Sequence, residues 1–150
     1  MIKHLDELVA AAVARGKKKM IVAYGQDTHT IEAVYDAYQE GLVEPILYGD
    51  RVVIEQACNE LNIDSAVFQI IDEKNDAKAA RLAVTAVATG EADVLMKGTL
   101  STDKYMRAIL NKEAGLCPPK SVLGHVSVFE WAGYHKLLLA SDIAILPLPD

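Results

Sequence analysis

The stretch Ala92-Asp93-Val94-Leu95-Met96-Lys97-Gly98-Thr99-Leu100-Ser101-Thr102-Asp103 decides the fold. Its first half is apolar without alternation and reads as a short buried strand. The strand breaks at Gly98, and two hydroxyls, Ser101 and Thr102, open a helix. A strand passing through a glycine into a capped helix is the joint of a βα unit, and it has the layout of an anion site. Lys97 supplies a positive charge, and Gly98 lets the backbone come close to a ligand. Ser101 and Thr102 can cap the helix and offer hydroxyls. The free N–H groups of the first turn, with the helix dipole, favour a phosphate. Arg107 lies further along the same helix. Helical side chains lean towards the N-terminus, so its guanidinium can reach the same anion. The alternative for Arg107 is a surface salt bridge with Asp103, four residues earlier. This is not a Walker loop, because Lys97 precedes the glycine and no Gly-Lys-Ser/Thr follows. No GxGxxG occurs in the chain.

Outward from this joint the same grammar repeats. Leu5, Leu8, Val9, Ala12 and Val13 recur at helical spacing, which predicts an amphipathic helix over about residues 3–15, stopped by Gly16. Met20 to Tyr24, Glu44 to Tyr48, Ala66 to Ile71 and Ala92 to Met96 read as buried strands. Helices are predicted over Ile31 to Gln39, Arg51 to Leu61 and the alanine-rich Asn75 to Thr89, with Gly41 and Gly90 closing the first and last. A helix from Ser101 to about Lys112 follows the fourth strand. Strands alternating with helices imply right-handed crossovers and a parallel sheet covered on both faces, a three-layer α/β/α domain. Ligands sit outside the carboxyl ends of such strands. That rule nominates three loops: Gly25 to Thr30, Gly49-Asp50, and Lys97 to Thr102. Beyond Lys112 the pattern changes. Ser121 to Phe129 alternates, Trp131 to Tyr134 reads as a turn, and Lys136 to Ala140 is another strand. So short a connection cannot make a parallel crossover, which predicts an antiparallel hairpin added to the sheet or to its edge. Leu146 to Asp150 reads as an extended end.

Composition excludes several classes of function. The chain has 150 residues, the size of one domain, and 51% of them are hydrophobic, enough for a substantial core. A net charge of −6 argues against a nucleic-acid partner. The basic cluster Arg15, Lys17, Lys18 and Lys19 reads as a solvated end of the first helix. No apolar run approaches the length of a membrane span. Cys58 and Cys117 form no metal or CxxC motif. With no secretory signal, the chain is expected to be cytoplasmic and reduced.

With these residues in hand, the chain resembles the N-terminal half of a phosphate acyltransferase of the phosphate acetyl/butyryl transferase family, and is most similar to its phosphate butyryltransferase branch. The resemblance runs from Val22 to Asp150. It rests on Pro45 to Asp50, Ala92 to Gly98, Ser101-Thr102-Asp103 with Arg107 to Glu113, Gly115-Leu116, His125 to Phe129, and Ser141-Asp142. It implies reversible transfer of a butyryl or acetyl group between coenzyme A and inorganic phosphate, forming acyl phosphate. It implies a fold like that of isocitrate and isopropylmalate dehydrogenases, with two αβ domains and a cleft between them where the substrates meet. Residues 1–150 would be the N-terminal domain, with the second domain absent from this chain and the fragment alone inactive or nearly so. Coenzyme A enters as substrate, no cofactor is tightly bound, no metal is required, and homo-oligomers are expected. The resemblance carries Lys97, Gly98, Ser101, Thr102 and Arg107 over as substrate- and phosphate-binding residues. The sequence departs from the family's pattern at Gly124, where a serine is frequent, and at Ser141, where a threonine is frequent.

Other candidates weigh differently. His125 is a possible acid or base, though a histidine on a sheet strand is more often packed and hydrogen-bonded. Asp27 and His29 lie on a nominated loop, where capping of the next helix by Asp27 or Thr28 is the favoured explanation. Asp103 complements the helix dipole. Asp142 either points into a cleft or closes a turn. Cys117 lacks a basic neighbour in sequence and reads as a spectator thiol. Two other functions remain in view: a non-catalytic αβ module sensing a phosphorylated metabolite or acyl-coenzyme A, and a nicotinamide- and metal-dependent dehydrogenase. The dehydrogenase requires an aspartate cluster that this sequence does not assemble.

Overall fold

The computed structural model describes residues 2–118 and 120–141. Residues Lys17–Pro119 form one compact unit, and Met1–Gly16 with Lys120–Asp150 form a second.

The larger unit holds four parallel strands, β1 (Lys18–Ala23), β2 (Val43–Gly49), β3 (Gln69–Asp72) and β4 (Val94–Lys97), in the order β3-β2-β1-β4. Helices α2 (Thr28–Gln39), α3 (Arg51–Glu60) and α4 (Asp76–Ala88) make the crossovers, and α5 (Thr102–Ile109) follows β4. The helix α1 (Leu5–Val13) belongs to the smaller unit. The chain steps outward from β1 to β2 to β3, then returns through α4 to the other side of β1. Right-handed crossovers therefore place α2 and α3 on one face of the sheet and α4 on the other.

Burial follows that arrangement. In β1 the run Met20, Ile21, Val22 and Ala23 is buried throughout, because this strand has a neighbour on each side and helices on both faces. Met20 and Val22 pack into one cluster with Leu47, Ile31, Val34, Ile54, Ala57 and Cys58. On α4 the buried positions are Ala79, Ala80, Ala83, Val84 and Ala86, small residues that let a helix approach a sheet closely. Gly16, Gly41 and Gly90 end α1, α2 and α4 at φ +86°, +78° and +83°, the left-handed geometry that stops a helix.

The smaller unit contains α1 and an antiparallel hairpin, β5 (Val126–Phe129) with β6 (Leu138–Ser141), in the register Val126↔Ser141 and Phe129↔Leu138. Trp131 to Tyr134 turns as expected, with the Tyr134 N–H donating to the Trp131 carbonyl at 2.9 Å. Glu130 anchors the start of α1: it accepts from the Leu5 N–H at 2.8 Å and meets His4 Nδ1 at 2.7 Å. No residue of α1 is buried, and Leu5, Leu8, Val9 and Val13 are 36–41% exposed.

Five expectations need correction. The strand read as buried over Ala92 to Met96 is β4, which has a strand neighbour on one side only, with Val94 and Lys97 exposed and Leu95 and Met96 half-buried. The hairpin is antiparallel but does not join the parallel sheet; it forms a two-stranded sheet of its own, with its polar anchor on α1. The third strand begins later than Ala66, because Asp64 caps a 3₁₀ turn over Ser65–Val67 by accepting from the Ala66 N–H at 2.9 Å. The helix opened by Ser101 stops at Ile109 rather than about Lys112. There the Asn111 side chain takes the N–H groups of Glu113 and Ala114, and the Leu116 N–H returns to the Ile109 carbonyl at 2.8 Å. Within Ser121 to Phe129 only Val126–Phe129 is strand. Asp142 and the extended end Leu146 to Asp150 lie outside the described residues.

Candidate functional site

In an open parallel sheet the crevice for a ligand opens where neighbouring crossovers leave in opposite directions. Here that point lies between β1 and β4, whose last paired residues are Ala23 and Lys97. The post-β1 and post-β4 loops therefore face each other at the carboxyl edge. Four helices start along this edge, and each has its own cap. Asp27 caps α2, Asp50 caps α3, Asn75 caps α4 and Ser101 caps α5. Carboxylates already occupy the first two N-termini and disfavour a second anion there. Burial pushes the Asp27 carboxyl up, but hydrogen bonds from the Thr30 side chain and N–H outweigh it and hold the group below its usual value. Asp50 additionally holds Lys74 at 3.6 Å. Of the three nominated loops, only Lys97 to Thr102 leads into a helix with an uncharged cap.

That loop is fixed at every residue. The pairing of β1 with β4 continues past the end of the strands: the Gly98 N–H donates to the Ala23 carbonyl at 2.9 Å and the Thr99 N–H to the Tyr24 carbonyl at 3.0 Å. The Thr99 hydroxyl adds a second bond to the same Tyr24 oxygen at 3.1 Å. Gly98 has no alternative, since a Cβ there would lie 2.2 Å from the Tyr24 carbonyl oxygen and 2.8 Å from the Gly25 Cα. Leu100 is buried at 2% exposure and pins the turn into the core. Ser101 then accepts from the Lys104 N–H at 3.3 Å and starts α5.

The predicted site residues divide into two groups. Gly98, Ser101 and Thr102 come together within this single turn. The Thr102 hydroxyl makes no hydrogen bond among the described residues, whereas that of Ser101 serves the cap. Lys97, the last residue of β4, turns its ammonium to the Gly98 carbonyl at 3.2 Å. Arg107 stands on an exposed flank of α5 with its Nε 2.9 Å and 3.0 Å from the two oxygens of Asp103. The salt bridge read as its alternative is therefore present. Arg107 also lines a concavity of about 380 Å³ between α4 and α5, together with Arg81, Asp103, Lys104 and Asn111. Lys97 is not part of that wall, so the two cations occupy separate local arrangements.

The remaining candidates fall elsewhere. Asp27 caps α2, accepting from the Thr30 N–H at 2.9 Å. His125 belongs to the smaller unit, where its Nε2 lies 3.3 Å from the Ser127 hydroxyl. Cys117 is half-buried and free, and Cys58 is buried in the core. Among the described residues no group of three or more His, Cys, Asp or Glu could hold a metal ion. No helix among them is long and apolar enough to cross a membrane.

Two features were not read from the sequence. Tyr24 takes φ +60°, although the adjacent Gly25 is the residue whose chemistry suits that geometry. Arg81 and Lys104 join Arg107 along one wall. Spacing on separate helices gives no signal for such a grouping, because it depends on how α4 packs beside α5.

Residues 4–83 match the family described as Phosphate acetyl/butaryl transferase. The chain is 39% identical over 150 residues to the phosphate butyryltransferase of Clostridium acetobutylicum, covering 100% of this chain and 50% of that protein. It is 40% identical over 145 residues to the phosphate acetyltransferase of Thermotoga maritima, covering 97% and 48%. Among solved structures, a phosphotransacetylase from Streptococcus pyogenes superposes with a TM-score of 0.72 at 17% identity, over 91% of this chain and 50% of that one, a likeness of fold. The chain thus spans about half the length of the curated relatives it matches.

Proposed function

This chain belongs to the phosphate acetyl/butyryl transferase family, and from that premise we propose that it takes part in moving a butyryl or acetyl group between coenzyme A and inorganic phosphate. In this reading residues 1–150 are the N-terminal domain of a two-domain, cytoplasmic enzyme. The 150 residues alone are inactive or nearly so. The substrates are acyl-coenzyme A and phosphate, no cofactor is held tightly, and the working protein is a homo-oligomer. The observation that carries the reading is the rigid Lys97 to Thr102 turn at the β1/β4 switch point, the one of the three nominated loops that opens a helix with a neutral cap.

The chemistry asks for two things at once. A phosphate oxygen attacks the thioester carbonyl carbon, a C–O bond forms, the C–S bond breaks, and the thiolate leaves to be protonated. The site must hold the phosphate dianion and stabilise the oxyanion that develops on the carbonyl. Positioning and preset charge supply this without a covalent enzyme intermediate. The N–H groups at the start of α5 and the Ser101 and Thr102 hydroxyls offer the phosphate neutral donors, and Gly98 leaves room for the approach. Lys97 adds a point charge once its ammonium leaves the Gly98 carbonyl. Arg107 adds a bidentate clamp once its guanidinium turns from Asp103.

The test is thiol release from butyryl- and acetyl-coenzyme A by the intact protein, with and without phosphate. Phosphate-dependent release supports transfer. Binding of acyl-coenzyme A with no such release would instead make this a sensing module, an alternative that the two relatives described above, named as transferases, do not favour.

A further inference from the structure

Tyr24 follows the end of β1 with φ +60°, in the left-handed region that side-chain-bearing residues avoid. Asn62 shares this geometry at φ +57°, but it follows the C-terminal cap of α3, where a left-handed residue is the ordinary way to end a helix. Tyr24 ends no helix. The neighbouring Gly25 could take a positive φ without strain and does not. Its absence of a side chain is needed for space instead, since a Cβ would lie 2.5 Å from Val22 Cγ1. The strain is therefore placed on a tyrosine, and its surroundings show what it achieves. The twisted backbone presents the Tyr24 carbonyl to Thr99, which bonds it through both N–H and hydroxyl at 3.0 and 3.1 Å. At the other end of the residue, the Tyr24 hydroxyl donates to the Lys74 carbonyl at 3.2 Å, in the loop before α4. One residue thus ties the post-β1, post-β3 and post-β4 loops together.

A non-glycine residue persists in this region only where its surroundings over-determine it, and such residues gather at ligand sites. We infer that Tyr24 is a positioning residue for the anion turn. Its left-handed backbone fixes Thr99, and through Thr99 it presets the Gly98–Ser101 path to the start of α5 before any phosphate arrives. The inference rests on reading Lys97 to Thr102 as the phosphate loop. It adds a residue that touches no substrate and acts entirely through a main-chain oxygen.

Substitutions separate backbone geometry from side-chain chemistry. Asparagine tolerates the left-handed region, whereas a β-branched valine does not. In the intact protein, Tyr24→Val raises the phosphate KM about tenfold and leaves the acyl-coenzyme A KM within about twofold. Tyr24→Asn stays within about twofold of wild type on both, as does Tyr24→Phe, which loses only the bond to Lys74. Thr99→Val reproduces Tyr24→Val, Thr99→Ser restores the wild-type value, and the double valine variant is no worse than either single one. Amide hydrogen exchange gives a readout independent of turnover: the Thr99 N–H loses protection in Tyr24→Val and keeps it in Tyr24→Asn. Equal behaviour of the valine and asparagine variants in exchange overturns the inference. So does a rise in both KM values together, because that marks general loosening of the fold. If wild type releases no thiol with phosphate, the assigned reaction fails, and the exchange experiment still decides whether Tyr24 sets the loop.

Discussion

Arg107 and Asp103 form a closed pair on one flank of α5, with the arginine Nε within 3.0 Å of both carboxylate oxygens. Both side chains are largely exposed, at 79% and 67%. An exposed pair one helical turn apart contributes little to stability, about 0.3–0.5 kcal/mol. Its geometry nonetheless places a competing anion on the guanidinium assigned to substrate.

The first prediction concerns that competition. Asp103→Asn removes the rival charge while keeping the shape. It is expected to lower the apparent KM for phosphate or acyl-coenzyme A by about twofold to tenfold, with stability unchanged within about 1 kcal/mol. Arg107→Ala or Lys97→Ala is expected to cost about 2–4 kcal/mol in kcat/KM. Steady-state kinetics on the intact protein read both. Unaltered kinetics in the Arg107 and Lys97 variants would remove the loop from the reaction.

The second prediction concerns space. Gly98→Ala forces a methyl to within 2.2 Å of a carbonyl oxygen and 2.8 Å of a backbone carbon. Neither atom is the end of a flexible side chain, so β1 and β4 must separate. A loss of about 1–3 kcal/mol or more is expected in chemical denaturation. Gly133→Ala is the control: its nearest atoms are 3.8 and 3.9 Å away on the Trp131 side chain, and its change should stay within about 0.5 kcal/mol.

Much of this arrangement is legible in the residues. The alternation of apolar runs with helical periodicity gives the parallel sheet, and the central strands β1 and β2 are buried as their apolar runs predict; β4, read as buried, ends the sheet with Val94 and Lys97 exposed and Leu95 and Met96 half-buried. Gly16, Gly41 and Gly90 stop their helices where they were read to stop, since the left-handed cap is a local requirement. Capping by Asp27 and the Asp103–Arg107 bridge are equally local. The hairpin's isolation from the sheet was not legible. Its antiparallel pairing follows from a short connection, but which sheet it joins depends on tertiary partners such as Glu130 with the start of α1. The twist at Tyr24 was hidden for a related reason. Its carbonyl is fixed by Thr99, 75 residues away, and no local pattern announces a bond of that span.

The third prediction is a pH dependence in the smaller unit. The hydrogen bond to Glu130, then its charge, raise the His4 pKa above its ordinary 6.5. The hydrogen bond from His4, then that from the Leu5 N–H, lower Glu130 below its ordinary 4.5. A raised histidine stabilises fully below the unfolded value and loses that contribution as pH climbs through the folded one. A lowered carboxylate stabilises above its unfolded value and loses the contribution as pH falls through the folded one. The pair therefore supports this unit best between about pH 4.5 and 6.5. Glu130→Gln should move the His4 midpoint down, read by NMR of the imidazole ring. An unmoved midpoint would mean the contact does not form in solution.

The fourth prediction separates two neighbouring hydroxyls that the sequence leaves equivalent. The Ser101 hydroxyl accepts from the Lys104 N–H at 3.3 Å and caps α5. Replacing a capping serine by alanine costs about 0.5–2 kcal/mol, and the length of this bond puts Ser101→Ala near the lower end. Thr102 is the first residue of α5, and its hydroxyl has no hydrogen bond among the described residues. Thr102→Val keeps the shape, removes only the hydroxyl, and should leave stability within about 0.5 kcal/mol. If both hydroxyls face a bound phosphate, each variant weakens it. Only Thr102→Val then isolates the binding contribution, because only there is no cap lost. The expected result is a phosphate KM raised by about 1 kcal/mol or more for Thr102→Val with an unchanged denaturation midpoint. A Thr102 variant that leaves the phosphate KM at its wild-type value, beside a Ser101 variant whose kinetic loss tracks its loss of stability, would reduce both hydroxyls to helix architecture and leave the backbone N–H groups, Lys97 and Arg107 to hold the anion.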